Sequence, residues 1–169
     1  HGAPIIFHPN PLDAPTIGYL VERYGVTLLL ATPTFLSIYT RRCEPANFGS
    51  LRIVLAGAEK LSARVADAFE ETFGLRPLEG YGATECAPVI ATSTPSFRAP
   101  GFYQPGSRKG SVGVPLPGVA VSIIDPDSGA PVPIGSPGML RVKGPNVMIG
   151  YLGRRDLTDD ELKGGWYTT

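Results

Sequence analysis

The amino-acid sequence predicts an α/β fold: a mainly parallel sheet with flanking helices, followed by a small antiparallel, β-barrel-like lobe. In the first half, apolar strand-like runs alternate with segments of helical periodicity, a pattern typical of parallel strands joined by helices. Later, short β-like runs are separated by proline and glycine, which indicates antiparallel pairing. The predicted organisation is an α/β subdomain over residues 1–92, a loop over 93–110, and a β-rich subdomain over 111–169 that is truncated at its C-terminal end.

Three helices are predicted in the first half from their caps and apolar spacing. The first follows Asp13, a suitable N-cap, and ends at Gly25, which suits a left-handed C-terminal residue. The second opens at Thr32, whose hydroxyl can cap a helix that begins with proline. The third follows Ser62 and ends at Gly74.

Four apolar runs precede or alternate with these helices and are predicted as strands. They are Ile5–Phe7, Val26–Ala31, Leu51–Ala56 and Leu75–Leu78. The continuous run Val26–Ala31 predicts a strand that is buried on both faces. Because ligands bind at the carboxyl ends of parallel strands, the loops that follow the last two runs are expected on one ligand-binding edge.

The second half contains shorter elements. Strand-like runs are predicted at Val112–Pro115, Val119–Ile124, Met139–Val142 and Val147–Tyr151, and one helical turn at Asp159–Leu162. Their alternation of apolar and polar residues favours a small antiparallel sheet or barrel.

Composition excludes several classes of protein. Lys plus Arg and Asp plus Glu number 15 each, so no net charge favours nucleic acid or an anionic membrane as partner. Cys43 and Cys86 lack C-x-x-C spacing, which disfavours a zinc site or disulfide scaffold and makes reduced cytosolic thiols the default. No run of about 18 apolar residues and no signal peptide is found, so we expect a cytoplasmic protein. The chain begins without methionine and reads as a piece of a longer protein.

Several catalytic motifs are absent or incomplete. No G-x-x-x-x-G-K-[ST] phosphate loop and no G-x-S-x-G elbow occurs. Gly80–Thr84 begins like a dinucleotide fingerprint, but Glu85 replaces its third glycine. Asp125–Gly129 resembles a fragment of a calcium loop and lacks the other ligands, so a hairpin turn is predicted there. Cys86 has no basic partner nearby and is predicted to be a small packed residue.

Two motifs remain as candidate ligand sites. In Glu79–Glu85, glycines allow close approach to the backbone, Tyr81 can cover a flat ring, Thr84 can bond an oxyanion and Glu85 can hold a hard cation. The alternative is a strand-to-loop turn with a solvated glutamate. At Gly57–Glu59, small residues can present backbone groups to a planar ligand, and a plain strand-to-helix turn is the alternative.

Five motifs occur in a fixed order along the chain. They are Ala56–Leu61, Glu79–Glu85, Gly110–Gly118, Gly144–Tyr151 and Gly165–Thr169. Together they resemble the adenylate-forming (AMP-dependent synthetase and ligase) superfamily over essentially the whole chain. A resemblance over one motif would be weak, whereas five in order are specific.

Within that superfamily the chain is most similar to the acyl-[acyl carrier protein] synthetase part of bacterial bifunctional acylglycerophosphoethanolamine acyltransferases. The narrower resemblance rests on His8–Asp13, Ala31–Leu36, Glu59-Lys60 and Asn146–Leu152. It implies a segment of an ATP-dependent fatty acid ligase. Such a ligase forms acyl-AMP and pyrophosphate and passes the acyl group to a carrier-protein thiol, for acylation of (lyso)phospholipids.

The resemblance also implies roles for individual residues in the binding of the nucleotide base. Gly57, Ala58 and Glu59 border the adenine, and Tyr81 stacks on its face. ATP is the implied nucleotide, with Mg²⁺ as its cation.

The remaining implied roles lie at the reacting phosphate. Gly82 and Ala83 flank the α-phosphate and the mouth of the acyl pocket, Thr84 bonds a phosphate oxygen, and Glu85 holds Mg²⁺. Thr84 and Glu85 are therefore the expected catalytic residues. The helix that carries Phe35–Tyr39 is a candidate wall for the fatty chain.

The implied partners are a fatty acid and, as acyl acceptor, acyl carrier protein or coenzyme A; the parent protein is expected in the cytoplasm, or at the cytoplasmic face of the inner membrane. The alternatives are an acyl-CoA synthetase, a fatty acyl-AMP ligase or an amino-acid-adenylating domain of the same superfamily, and a non-catalytic nucleotide- or acyl-binding module. The superfamily's phosphate loop, ribose-binding aspartate and catalytic lysine are not found in these 169 residues, so the isolated segment is expected to be inactive.

Overall fold

The computed structural model describes residues 2–169, whose contacts divide them into two compact units. The first, called the α/β unit below, runs to Gly80 and includes Ser93–Val112. The second, the β unit, comprises Tyr81–Thr92 and Gly113–Thr169. The limits at residues 92 and 111 stay a prediction about independently folding subdomains.

The α/β unit contains parallel strands and helices in alternation, which confirms the predicted fold class. The helices are α1 (Ala14–Tyr24), α2 (Pro33–Arg42) and α3 (Ala63–Phe73), and the strands are β1 (Leu28–Ala31), β2 (Ile53–Ala56) and β3 (Leu78–Gly82). The last two residues of β3 belong to the β unit. β1 pairs in parallel with β2, with Leu28 opposite Ile53, and β2 pairs in parallel with β3, with Leu55 opposite Leu78.

The predicted helix ends are confirmed. Asp13, Thr32 and Ser62 each accept a hydrogen bond from the backbone N–H three residues further on, at 3.3–3.4 Å. Gly25 and Gly74 follow α1 and α3 with φ of 59° and 70°, a left-handed conformation that glycine adopts without steric cost.

The core of the α/β unit is built from the inner faces of its three helices and from β2. Phe69 is fully buried, and its ring lies 4.6 Å from that of Phe73, which lies 4.7 Å from that of Phe48. Leu36 and Tyr39 of α2 are buried in the same cluster, at 0% and 3% exposure. These two side chains are used in the core, and a role of the helix in walling the fatty chain stays a prediction.

Two strand predictions in this unit are corrected. No strand forms at Ile5–Phe7, where Ile5 and Phe7 are 73% and 86% exposed. β1 is shorter than predicted and is not buried on both faces, since Leu28 and Leu30 are 50% and 66% exposed. Only the alternate residues of β1 face the helices, and among residues 2–80 no second layer covers the other face.

The segment predicted as a loop over 93–110 contains a small exposed hairpin. Its strands are β5 (Phe97–Ala99) and β6 (Phe102–Gln104), paired antiparallel. Arg98 lies over the ring of Tyr103, 4.8 Å from its centroid.

The β unit is dominated by antiparallel pairs. Its strands are β4 (Val89–Thr92), β7 (Val114–Pro115), β8 (Ala120–Ile124), β9 (Met139–Lys143), β10 (Leu162–Lys163) and β11 (Trp166–Thr168), with one helix, α4 (Arg155–Glu161). β10, β11, β9 and β8 form an open four-stranded sheet in that order, and β4 pairs with β7. Val142 of β9 and Ile124 of β8 are buried in this unit.

Two details of the β unit differ from expectation. Val147–Tyr151 was predicted as a strand, but it is irregular, because its polar groups bond to a neighbouring turn instead of a strand. The predicted helical turn is the longer α4.

The turn predicted at Asp125–Gly129 is confirmed. The Asp125 carboxylate accepts hydrogen bonds from the N–H groups of Asp127 and Ser128, at 3.1 and 2.8 Å. The Asp125 carboxylate thus stabilises the turn through hydrogen bonds to its backbone. Within residues 2–169, no helix combines the length and the apolarity needed to cross a bilayer.

Candidate functional site

The first candidate segment, Gly57–Glu59, lies where β2 ends in the α/β unit. The Gly57 N–H donates to the carbonyl of Ala31 at the end of β1, at 3.3 Å. Ala58 has φ of 67°, a conformation rarely adopted by residues with a Cβ. The chain therefore turns sharply here, and Ala58 is solvent-exposed at the turn.

Gly57 leaves open space at this turn. A Cβ added to Gly57 would meet no heavy atom within 4 Å among the described residues, and its φ lies outside the left-handed region. Neither packing nor backbone conformation within the described chain therefore demands glycine there. The exposed backbone is accessible to a ligand.

Two carboxylates hold the surroundings of this turn. Glu59 accepts a hydrogen bond from the Thr34 hydroxyl of α2, at 2.7 Å. Glu79 on β3 accepts one from the N–H of Leu61, at 3.0 Å. The sequence interpretation assigned no role to Glu79, and this contact shows that it braces the loop between β2 and α3.

The second candidate segment, Tyr81–Glu85, begins in β3 and continues into a 3₁₀ turn in the β unit. Glu79–Gly82 was expected as a loop after a strand, whereas the strand itself runs through Gly82. Ala83 is extended, and Thr84–Cys86 form the turn, with the Thr84 side chain exposed. Tyr81 is 36% exposed, so part of its ring is open to a ligand.

Gly82 has a structural reason to be glycine. A Cβ there would lie 2.0 Å from the carbonyl oxygen of Pro88 and 2.8 Å from its carbon. The adjacent Ala83 N–H donates to that same oxygen at 2.8 Å, which fixes the close approach of the two backbones. The glycine is required by the fold, whatever ligand approaches it.

Glu85 lies half-buried at the centre of a polar cluster. The hydroxyl of Tyr151 donates to its Oε1 at 2.8 Å. The pKa of Glu85 is lowered from its ordinary range, first by a hydrogen bond from its own backbone N–H and then by the Tyr151 hydroxyl. Glu85 is therefore a carboxylate at neutral pH.

The two tyrosines of this cluster respond in the opposite direction. Hydrogen bonding to the Glu85 carboxylate raises the pKa of Tyr151. Burial is the main cause that raises the pKa of Tyr167, whose side chain is 8% exposed. The negative charge of Glu85 raises it further. Both phenols stay protonated at neutral pH and can donate to the carboxylate.

Sequence reasoning missed Tyr151 and Tyr167 as site residues. Both lie in motifs that supported the family resemblance, but the contact between Glu85 and Tyr151 joins residues 66 positions apart. No periodicity or local spacing connects positions so far apart, so the sequence carries no direct signal of the pair.

The segment Asn146–Tyr151, called the 146–151 segment below, also holds the main chain of the turn. The N–H of Met148 donates to the Glu85 carbonyl at 2.7 Å. The side-chain amide of Asn146 donates to the carbonyls of Cys86 and Val89, at 2.9 and 3.0 Å. The backbone and the side chain of Glu85 are thus held by one stretch of chain.

Glu85 is suited to a cation that is also bound by the phosphates of a nucleotide, rather than to a metal site made by protein side chains alone. Among residues 2–169 no group of three or more His, Cys, Asp or Glu side chains could hold a metal ion. Mg²⁺ in nucleotide sites usually takes one or two carboxylates and completes its shell with phosphate oxygens and waters. One ionised carboxylate fits that arrangement.

Cys86, beside Glu85, is confirmed as a packed residue. It is 0% exposed and has no disulfide partner. Burial raises the pKa of its thiol, which disfavours the reactive thiolate. Nucleophilic catalysis by this cysteine is therefore disfavoured.

The candidate residues thus form two groups. Gly57–Glu59 and Thr34 lie in the α/β unit, and Tyr81–Glu85 and Tyr151 lie in the β unit.

Comparison with known proteins identifies the family of this arrangement. The family described as AMP-binding enzyme matches residues 1–152. A long-chain-fatty-acid–CoA ligase of Yersinia pestis is 37% identical over 162 residues, which cover 95% of this chain and 27% of the ligase.

Solved structures give the same result. Apo MatB from Rhodopseudomonas palustris matches with a TM-score of 0.82 and 31% identity, over 97% of this chain and 31% of MatB. ATP-bound MatB from the same organism matches with a TM-score of 0.80 and 30% identity, again over 97% of this chain and 31% of that protein. This chain therefore spans less than a third of the length of these relatives.

Proposed function

Because this chain belongs to the AMP-binding enzyme family, we propose that it forms one part of the nucleotide site of an ATP-dependent ligase that activates a fatty acid as acyl-AMP. A carboxylate oxygen of the acid attacks the α-phosphate of ATP, the new P–O bond forms, and pyrophosphate leaves. The similarity to an enzyme named as a long-chain-fatty-acid–CoA ligase supports a fatty acid as substrate.

The ionised Glu85 carboxylate, held by Tyr151, is the observation that carries this proposal. It lies directly after Thr84, whose exposed hydroxyl is free to donate to a phosphate oxygen. In the proposed site, Glu85 would hold Mg²⁺, which would neutralise negative charge on the phosphates. Thr84 and Glu85 are accordingly the proposed catalytic residues.

Roles at the base of the nucleotide are proposed for the remaining candidates, each within its own unit. Tyr81 presents a partly exposed ring for stacking on adenine. Gly57, Ala58 and Glu59 are proposed to border the adenine edge, and the open space at Gly57 supports close approach of a flat ligand to the backbone.

Gly82 and Ala83 are proposed to flank the α-phosphate and the mouth of the acyl pocket. Neither residue carries a side chain larger than a methyl group. The Ala83 N–H is already used by the Pro88 carbonyl, so we do not assign it to phosphate binding.

The acyl acceptor is proposed to be a thiol, with two candidates. Coenzyme A is favoured by the name of the ligase relative. Acyl carrier protein, with transfer onward to a (lyso)phospholipid, is favoured by the sequence motifs at His8–Asp13 and Asn146–Leu152. The parent would act in the cytoplasm or at the inner membrane surface.

The proposal is tested on the full-length parent protein by fatty-acid-dependent exchange of pyrophosphate into ATP. Saturated fatty acids of increasing chain length are compared with a panel of amino acids. Exchange is expected with the fatty acids and not with the amino acids. Coenzyme A and acyl carrier protein are then supplied separately, and formation of the thioester identifies the acceptor. ATP binding without exchange, for every acid, would instead indicate a non-catalytic nucleotide-binding module.

A further inference from the structure

We propose that Tyr151 is a positioning residue for Glu85: its hydroxyl holds the carboxylate in the orientation that binds the cation of Mg²⁺·ATP. The inference deepens the proposed function and rests on it, because it takes Glu85 as the ligand of Mg²⁺. Tyr151 itself is not assigned contact with the nucleotide.

The first support is the contact between the two side chains. The Tyr151 hydroxyl donates to Glu85 Oε1 at 2.8 Å, and neither side chain is fully exposed. A glutamate side chain loses rotamer entropy when it is fixed. A phenol that fixes it before the nucleotide arrives removes part of that cost from cation binding. A carboxylate has about four acceptor positions, so the hydrogen bonds from Tyr151 and from the backbone N–H of Glu85 leave positions for a cation.

The second support is that Tyr151 is itself fixed by its neighbours. Its N–H donates to the Thr158 hydroxyl of α4 at 2.9 Å, and that hydroxyl donates to the Arg154 carbonyl at 3.0 Å. Gly150 has φ of 147°, and a Cβ there would lie 2.7 Å from Cγ2 of Thr158. The backbone at Gly150 and Tyr151 therefore packs against α4.

The third support is that the same segment fixes the main chain of Glu85. The Met148 N–H donates to the Glu85 carbonyl at 2.7 Å, three residues before Tyr151. The backbone and the carboxylate of Glu85 are thus held by the same segment. Ligand orientation by such hydrogen-bonded neighbours typically affects metal affinity by 10–100-fold.

The test uses Tyr151→Phe in the full-length parent, which removes the hydroxyl and keeps the ring. Calorimetry measures the dissociation constant of ATP without fatty acid, once with excess Mg²⁺ and once with EDTA. We expect Tyr151→Phe to weaken binding about 10-fold in Mg²⁺ and to leave binding in EDTA unchanged. Tyr39→Phe is the matched control: it removes a hydroxyl that donates to the Pro11 carbonyl in the α/β unit, and it should change neither constant.

A double-mutant cycle with Glu85→Gln shows whether Tyr151 acts through Glu85. Glu85→Gln alone should weaken binding in Mg²⁺, and Tyr151→Phe added to it should cause no further loss. If the loss is equal in Mg²⁺ and EDTA, or the same in both backgrounds, Tyr151 has only a structural role and the inference is overturned.

The outcomes separate this inference from the proposed function. An effect of Glu85→Gln without an effect of Tyr151→Phe overturns the inference alone. No effect of Glu85→Gln removes Glu85 from cation binding and overturns both. If Tyr151→Phe does not fold, Thr158→Val replaces it: the loss of the acceptor for the Tyr151 N–H should weaken binding in Mg²⁺, by a smaller factor, and not in EDTA.

Discussion

The two candidate segments of this chain differ in how firmly the surrounding residues hold them. Gly57–Glu59 ends a strand in the α/β unit, and no heavy atom lies where a Cβ of Gly57 would be. Tyr81–Glu85 is held on two sides in the β unit, by the Pro88 carbonyl against Gly82 and by the 146–151 segment at Glu85. Glycines that look alike in sequence thus have different physical causes: one is open to a ligand, and the other is required by backbone packing.

The largest effect on stability is expected from Gly82→Ala. Its Cβ would meet backbone atoms of Pro88, at 2.0 and 2.8 Å, which cannot move aside as a flexible side chain could. We expect the free energy of unfolding to fall by about 3 kcal/mol or more. Denaturant unfolding of the full-length parent measures this, and a loss below about 0.5 kcal/mol would show that Gly82 is not constrained by packing.

Asn146→Ala should have the next largest effect. It removes two hydrogen bonds to the carbonyls of Cys86 and Val89, which are left without these donors. The expected loss is about 2 kcal/mol in the free energy of unfolding. Asn10→Ala is the control, since it removes one exposed contact to the Leu12 N–H and should cost little. Equal losses for the two variants would contradict the assigned role of Asn146.

A smaller effect is expected from acid, and it comes from Glu85. Its pKa is lowered in the folded protein from the ordinary value of 4.5, so the folded state binds this proton less readily than the unfolded state. The stability that this provides is fully present above pH 4.5 and is lost as the pH falls through the folded pKa. The difference in the free energy of unfolding between the parent and Glu85→Gln should therefore become smaller as the pH is lowered below 4.5. A difference that does not change with pH would contradict this linkage.

The smallest effect on stability is expected from Gly57→Ala, which completes the matched pair with Gly82→Ala. Since the added methyl group meets only open space, the free energy of unfolding should stay the same or rise by up to about 1 kcal/mol. ATP affinity, measured by calorimetry, should fall, because the methyl group occupies the space proposed for adenine. Unchanged affinity would remove Gly57 from the proposed adenine edge.

Local signals in the sequence predicted most of the α/β unit. Asp13, Thr32 and Ser62 cap their helices as expected, and alternation of apolar runs with helical periodicity is sufficient to indicate parallel strands. These features depend on residues a few positions apart, which is why they can be read from one sequence.

Features that depend on distant residues were not predicted. Val147–Tyr151 has strand-like composition, but its backbone bonds to a turn about 60 residues earlier, so tertiary contacts override its propensity. In the same way, the apolar face of α2 could serve a core or a substrate tunnel, and only the structure places Leu36 and Tyr39 in the core.

For the candidate site, the chemistry inferred from residue types at Tyr81–Glu85 stays a prediction, and the contact of Glu85 with Tyr151 was found only in the structure. The close approach of Pro88 to Gly82 could not be predicted from the sequence either, because it depends on how the chain folds back after the turn.

The central claim, that Glu85 serves adenylate formation, is tested most directly by Glu85→Gln in the full-length parent. Fatty-acid-dependent exchange of pyrophosphate into ATP is measured together with thermal unfolding. We expect the exchange rate to fall by about 100-fold or more, with a melting temperature at neutral pH close to that of the wild type. An unchanged exchange rate at saturating Mg²⁺ and ATP would contradict the claim.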